Sequence, residues 1–130
     1  MGLTYVWVHI ANPAKLSKKA RLKMLLDSGA VYSVVPCEVL TRIGIRANRQ
    51  RSSLLADGSE ITRRMGDAQF VFQNETGSSP VIFGEKGDAA LLGAVSLEAL
   101  GLVLDPFQRK LMPMPMLLSA QRPSGSKPLR

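Results

Sequence analysis

The sequence predicts an all-β domain carrying one or two short helices, on three observations. Apolar and polar residues alternate with period two through most of the chain, the pattern of strands with one buried face. Asp57-Gly58 stands between two extended runs, a strong short-range hairpin signal. Apolar segments are short and punctuated by Gly and Pro, so strands with a few brief helical turns fit better than long helices.

Each element follows in order. Thr4 to Ile10 places Val6, Val8 and Ile10 on one face and Tyr5, Trp7 and His9 on the other, and Asn12-Pro13 breaks the run. Leu22, Met24 and Leu26 alternate with Arg21 and Lys23 in a second strand, which loses its polar face as it approaches Asp27 and so runs into the core. Val31 to Val35 is a third short strand. Pro36 suits the first turn of a helix, where its missing N–H costs nothing. That helix carries Val39, Leu40 and Ile43 and stops at Gly44. Ser52 to Leu55 leads to a tip at Ala56-Asp57-Gly58-Ser59 and a return through Ile61 and Met65. Gly66 opens a further alternating stretch with Ala68, Phe70 and Phe72 on one face, Asn74 to Ser79 reads as a turn, and Pro80 to Phe83 as a strand. Ala90-Leu91-Leu92-Gly93 is an apolar run before a helix with Val95, Leu97 and Leu100 that ends at Gly101. Leu102 to Leu104 and Lys110 to Met112 frame a final hairpin. Residues 1–118 are expected to form one domain, and the Ser-, Gly-, Pro- and basic-rich 119–130 a disordered tail.

Composition excludes several function classes. In 130 residues, 45% hydrophobic, no apolar run approaches the ~20 residues of a membrane-spanning helix. The opening residues lack the pattern of a secretory signal, so a soluble, cytoplasmic protein without membrane partners is expected. Cys37 is the single cysteine, which excludes an internal disulfide and a thiolate metal cluster. His9 is the single histidine and reads as a strand side chain rather than a catalytic base. No metal or other cofactor is expected. The net charge of +7 comes partly from Lys15, Lys18, Lys19, Arg21 and Lys23, read as a loop and the strand after it, and from Arg42, Arg46, Arg49 and Arg51. No aromatic residue is interleaved with these clusters in sequence, so they read as a solvated basic face and nucleic acid as an unlikely partner.

The chemistry concentrates at Asp27-Ser28-Gly29-Ala30. An acid at the end of an apolar strand, followed by a hydroxyl and a glycine, is costly to place for packing alone. By itself the triplet is weak evidence, because Asp readily serves as a turn residue. An internal echo adds to it: Leu25-Leu26-Asp27 with a helix ending Ile43-Gly44-Ile45 parallels Leu91-Leu92-Gly93 with a helix ending Leu100-Gly101-Leu102. Only the first copy carries an acid.

The order of an Asp-Ser-Gly-Ala turn, a helix, a glycine-tipped hairpin and an apolar-apolar-Gly segment before a second helix resembles the retropepsin-like aspartic proteases. The resemblance spans about Tyr5 to Met112. It implies a closed acid-protease β-barrel that works as a twofold homodimer. It further implies a catalytic Asp27 in an active-site loop with Ser28, Gly29 and Ala30, and a flap over Ser52 to Arg64 with its tip at Ala56, Asp57, Gly58 and Ser59. Leu91, Leu92 and Gly93 would form the structural loop opposite, and Val34, Ile82 and Phe83 the walls of the substrate pocket. Aspartic proteolysis uses two neighbouring carboxyls sharing a proton. With one such motif, the implied enzyme is an endopeptidase acting on a peptide or protein substrate only as a dimer that sets Asp27 against its copy. A non-catalytic peptide-binding or dimerisation module on the same fold is the alternative. The flap has a single glycine, and Lys110 to Leu118, with Met112, Met114 and Met116 between prolines, departs from the short dimer strand of viral enzymes.

Overall fold

The computed structural model describes residues 3–105 and 107–114; the expected tail, 119–130, and the end of the domain with Met116 lie outside the described residues. The described chain is mostly strand. Its elements are β1 (Tyr5–Asn12), β2 (Lys15–Leu26), β3 (Ser33–Pro36), α1 (Cys37–Arg42), β4 (Arg49–Leu54), β5 (Glu60–Phe72), β6 (Glu75–Gly84), β7 (Leu91–Leu92), α2 (Ala94–Ala99), β8 (Leu102–Asp105) and β9 (Lys110–Pro113).

Seven strands join in the order β1-β2-β7-β3-β6-β5-β4, and β1 also pairs with β5 through His9–Val71 to Ala11–Gln69. β8 and β9 form a separate two-stranded sheet. The inward faces follow the alternation of the sequence: Val8 and Ile10 from β1, Met24 and Leu26 from β2, Val35 from β3, Phe70 from β5, and Val81 and Phe83 from β6 meet Leu40 of α1 and Leu97 of α2 in one core. Burying each of the larger of these side chains contributes about 1.5–3 kcal/mol.

Four expectations are corrected. The basic segment before Asp27 is not a loop. β1 and β2 form a hairpin whose turn is only Pro13-Ala14, and all five of Lys15, Lys18, Lys19, Arg21 and Lys23 lie on β2. Gly66 does not open a new strand but sits inside the 13-residue β5. A glycine is required there because a Cβ would stand 2.9 Å from the Arg46 carbonyl oxygen and 3.1 Å from the Phe83 ring. The turn before Pro80 is Gln73-Asn74 alone, with Gln73 at φ 54°, so Glu75 to Ser79 already belong to β6. Pro36 ends β3 and caps α1 instead of lying in its first turn. The glycines expected to close the helices do so: Gly44 and Gly101 take φ of 83° and 72°.

Candidate active site

β2 delivers Asp27 to the middle of the sheet. Its last two residues pair in parallel with β7, Leu25 with Leu91 and Leu26 with Leu92. The pairing continues past the strand end, where the Asp27 N–H donates to the Leu92 carbonyl at 3.1 Å. Two further backbone bonds cross between the two loops, from the Ala94 N–H to the Ala30 carbonyl at 2.8 Å and from the Val95 N–H to the Val31 carbonyl at 3.0 Å. The Asp27-Ser28-Gly29-Ala30 loop and the Leu91-Leu92-Gly93 loop are therefore one hydrogen-bonded unit, as the internal echo of the sequence suggests.

Within the first loop, Asp27 Oδ1 accepts the Gly29 N–H at 3.1 Å and the Asp27 carbonyl accepts the Ala30 N–H at 3.0 Å. A Cβ on Gly29 would lie 3.3 Å from the same carboxylate oxygen, so glycine keeps the approach to Asp27 open. Asp27 is half-buried, while Ser28 and Gly29 are exposed. In the second loop a Cβ on Gly93 would stand 2.7 Å from the carbonyl carbon and oxygen of Tyr32, closer than packing allows. That is the physical reason for the apolar-apolar-Gly pattern.

Beneath both loops lies a network that sequence reasoning missed. Ser33, Ser79 and Ser96 are all buried. Ser33 Oγ accepts the Gly93 N–H at 2.9 Å and lies 2.5 Å from Ser96 Oγ, which is 2.7 Å from Ser79 Oγ. The direction of the chain follows from counting protons. Ser79 donates its one O–H to the Pro80 carbonyl at 2.9 Å, so Ser96 must donate to Ser79 and Ser33 to Ser96. Every hydroxyl donates once, and the buried Gly93 N–H is satisfied. The available signal was a hydroxyl at an inward position of an apolar strand, as Ser33 is beside Val35 and Ser79 beside Val81.

A cleft of about 520 Å³ opens beside the Asp27 loop, within the range of ligand-binding clefts. Ala30, Val34, Ile82 and Leu91 line its floor, and Arg51, Ser53, Ile61 and Arg63 of the β4–β5 hairpin its opposite side. Of the three residues expected as pocket walls, Val34 and Ile82 lie on this cleft. Phe83 does not: strand alternation turns it to the core face, where it is buried and packs under the Arg64 guanidinium. The hairpin tip is an exposed turn. Gly58 takes φ 88°, and Asp57 Oδ1 accepts the Ser59 N–H at 2.9 Å and the Ser59 hydroxyl at 2.6 Å. The Ser59 side-chain bond, then its backbone bond, hold the Asp57 carboxyl below its usual pKa. Ala56 completes the turn, and residues 51–60 are all exposed.

Arg63 helps to tie this hairpin down, donating to both oxygens of Asp88 at 2.8 and 3.1 Å, and Arg64 beside it donates to Cys37 Sγ at 3.0 Å and lies 3.9 Å from Glu85. Asp88 also accepts the Glu85 N–H at 2.8 Å. Its carboxyl is held below the ordinary value, chiefly by the Arg63 hydrogen bonds. Ser28 also borders a second groove, lined by Ala94, Leu97, Leu102, Val103, Leu104 and Met114 with Glu98 as its one charged residue among those described. Among the described residues no three His, Cys, Asp or Glu side chains group as metal ligands. No described helix is long and apolar enough to cross a membrane.

No protein-family model matches the sequence, and no curated protein matches it. Among solved structures, the solution structure of the simian foamy virus (mac) protease is similar, with a TM-score of 0.52 and 21% identity, over 73% of this chain and 92% of that one. The likeness shows a shared fold.

Proposed function

We propose that the chain is a retropepsin-like aspartic endopeptidase that acts as a homodimer, pairing Asp27 of one subunit with Asp27 of the other. The observation that carries this reading is the asymmetry of the two linked loops. Asp27 ends β2, while Gly93 holds the equivalent place after β7 and brings no carboxyl. A chain with half of the two-acid machinery is completed by its copy. The circuit of pairings from β1 through β2, β7, β3, β6 and β5 back to β1 supports the barrel form of the fold. The apolar groove beside Ser28, with exposed Val103 and Met112 on the β8–β9 hairpin, supports a subunit contact next to the catalytic loop.

In the proposed reaction one Asp27 carboxylate takes a proton from a water molecule as its oxygen attacks the scissile carbonyl carbon. The protonated partner carboxyl donates to the carbonyl oxygen, giving a neutral gem-diol. Collapse breaks the C–N bond as the proton taken from water passes to the leaving amine and one gem-diol hydroxyl returns its proton to the partner carboxylate, leaving a carboxylic acid product and the starting protonation of the pair. Substrate would lie extended in the cleft, bonded through its main chain as an added strand between the β4–β5 hairpin and the floor. Its side chains would pack on Val34 and Ile82.

The test is cleavage of a diverse peptide library at acidic pH, by mass spectrometry, for the full chain and for Asp27→Asn. Cleavage by the parent and none by the variant, with both dimeric in sedimentation, supports the reading. Cleavage that survives Asp27→Asn overturns it, as does a stable dimer that binds peptides but cuts none.

A further inference from the structure

The β1–β2 hairpin carries a surface that the proposed proteolysis does not use. Its antiparallel register sets Tyr5 opposite Leu25, Trp7 opposite Lys23, His9 opposite Arg21 and Ala11 opposite Lys19. Val6, Val8 and Ile10 fill the other face of β1, so three rings and three cations share the outward face. Separated in sequence, the two sets interleave in space. The Arg21 guanidinium lies 4.1 Å from the centroid of the Trp7 ring and the Lys23 ammonium 5.2 Å from that of Tyr5.

Large apolar rings normally turn inward, yet Tyr5 and Trp7 are 50% and 49% exposed. The charge around them has one sign. β1 and β2 hold five Lys and Arg and no Asp or Glu. Next to β1, the outward residues of β5 are Gln69 and Val71; Asp67 of that strand lies beyond the β1 pairing and is engaged by Arg49 at 3.3 Å. Alternate residues on one strand are about 6.8 Å apart, which sets Lys19, Arg21 and Lys23 at an interval comparable to successive phosphates of an extended single strand.

We propose that this face binds single-stranded nucleic acid, with phosphates on Lys19, Arg21 and Lys23 and unpaired bases stacked on Trp7, Tyr5 and the Arg21 guanidinium plane. Stacking on rings and guanidinium planes accepts any base, so the binding is expected to be sequence-tolerant. A duplex hides its base faces, and an acidic peptide answers the cations while leaving the rings without stacking partners. Single strands are the ligand that uses both halves of the surface. The site is independent of the Asp27 reading and stands whether or not the chain cleaves peptides.

Trp7 is the only tryptophan, so its emission reports this face and no other. The full chain is titrated with oligothymidylate at several salt concentrations, following tryptophan emission and the anisotropy of a labelled oligonucleotide. The proposal expects quenching that tracks binding, and affinity that falls with salt with a log–log slope of about −2 for three phosphates. Trp7→Leu should weaken anisotropy-detected binding about 5- to 100-fold. Arg21→Gln combined with Lys23→Gln should reduce the slope by about 1.4. Arg42→Gln combined with Arg46→Gln removes the same charge from the α1 segment and should leave the quench in place. Circular dichroism confirms folding of each variant. The proposal is overturned by binding without change in Trp7 emission, by equal affinity of the parent and Trp7→Leu, or by equal losses in both double variants. It is also overturned by displacement of the oligonucleotide by polyglutamate at matched charge, which would make the surface a site for acidic peptides.

Discussion

The Asp27–Gly93 pair of loops and the β4–β5 hairpin face each other across one cleft and are held in opposite ways. The loops are fixed by main-chain bonds that cross between them and by three buried serines below. The hairpin is exposed from residue 51 to 60, and side chains link it to the body: Arg63 pairs with Asp88, Arg64 reaches Glu85 and Cys37, and Arg51 lies over the Tyr32 ring. The proposed function would use both: an acid set against a second carboxyl within hydrogen-bonding distance needs the first kind of support, and a segment that admits an extended peptide and then covers it needs the second.

The contrast can be broken most severely at Gly93. Gly93→Ala places a methyl against the Tyr32 carbonyl, and overpacking of this kind costs about 1–3 kcal/mol or more. Thermal denaturation should show a large fall in Tm or loss of the cooperative transition. Ser33→Ala comes next, because it leaves the buried Gly93 N–H without an acceptor and takes away the hydroxyl that donates to Ser96, which keeps only its bond to Ser79. A destabilisation of about 1–3 kcal/mol by urea titration is expected. A variant as stable as the parent would show that the serine network does not brace the loops.

On the hairpin side the same kind of change should do little. Ser59→Ala removes both a donor and a turn contact at a fully exposed tip, and global stability should stay within about 0.5 kcal/mol. If the proteolytic reading is right, its effect belongs in kcat/KM for a peptide rather than in Tm.

The smallest expected effect is a pH response of the hairpin base. Asp88 is shifted below its ordinary value of 3.8 in the folded chain, so its pairing stabilises the fold at pH values above that and is lost as pH falls through the lower folded value. Hydrogen exchange of hairpin amides, corrected for the intrinsic pH dependence, should be equally protected at pH 6 and 5 and lose protection below 3.8. Asp88→Asn should remove that step. An onset well above 3.8 would mean that another group controls the hairpin.

How far the sequence could be read follows the same division. The Asp27 loop, the Gly93 echo and the Asp57-Gly58 tip were legible because each is a local pattern: a strand that loses its polar face, a glycine after an apolar pair, a turn dipeptide. What escaped depends on partners distant in the chain. Ser33, Ser79 and Ser96 become a network only when β3, β6 and α2 pack together. Gly66 reads as a break until Arg46 and Phe83 are seen to crowd it. Phe83 is a plausible pocket wall until the register turns Ile82 to the cleft. The rings and cations of β1 and β2 are separate in sequence, and only the hairpin register lays Arg21 over Trp7.

The central claim, that one chain holds half of an active site, is tested most directly by subunit mixing. Parent chain is mixed with increasing Asp27→Asn chain at constant total concentration, allowed to exchange, and assayed for hydrolysis of a peptide substrate. If the two Asp27 carboxyls act together, only parent–parent pairs cut, and activity falls as the square of the parent fraction. Activity that falls in simple proportion to the parent fraction would mean that each Asp27 works alone, and would contradict the account.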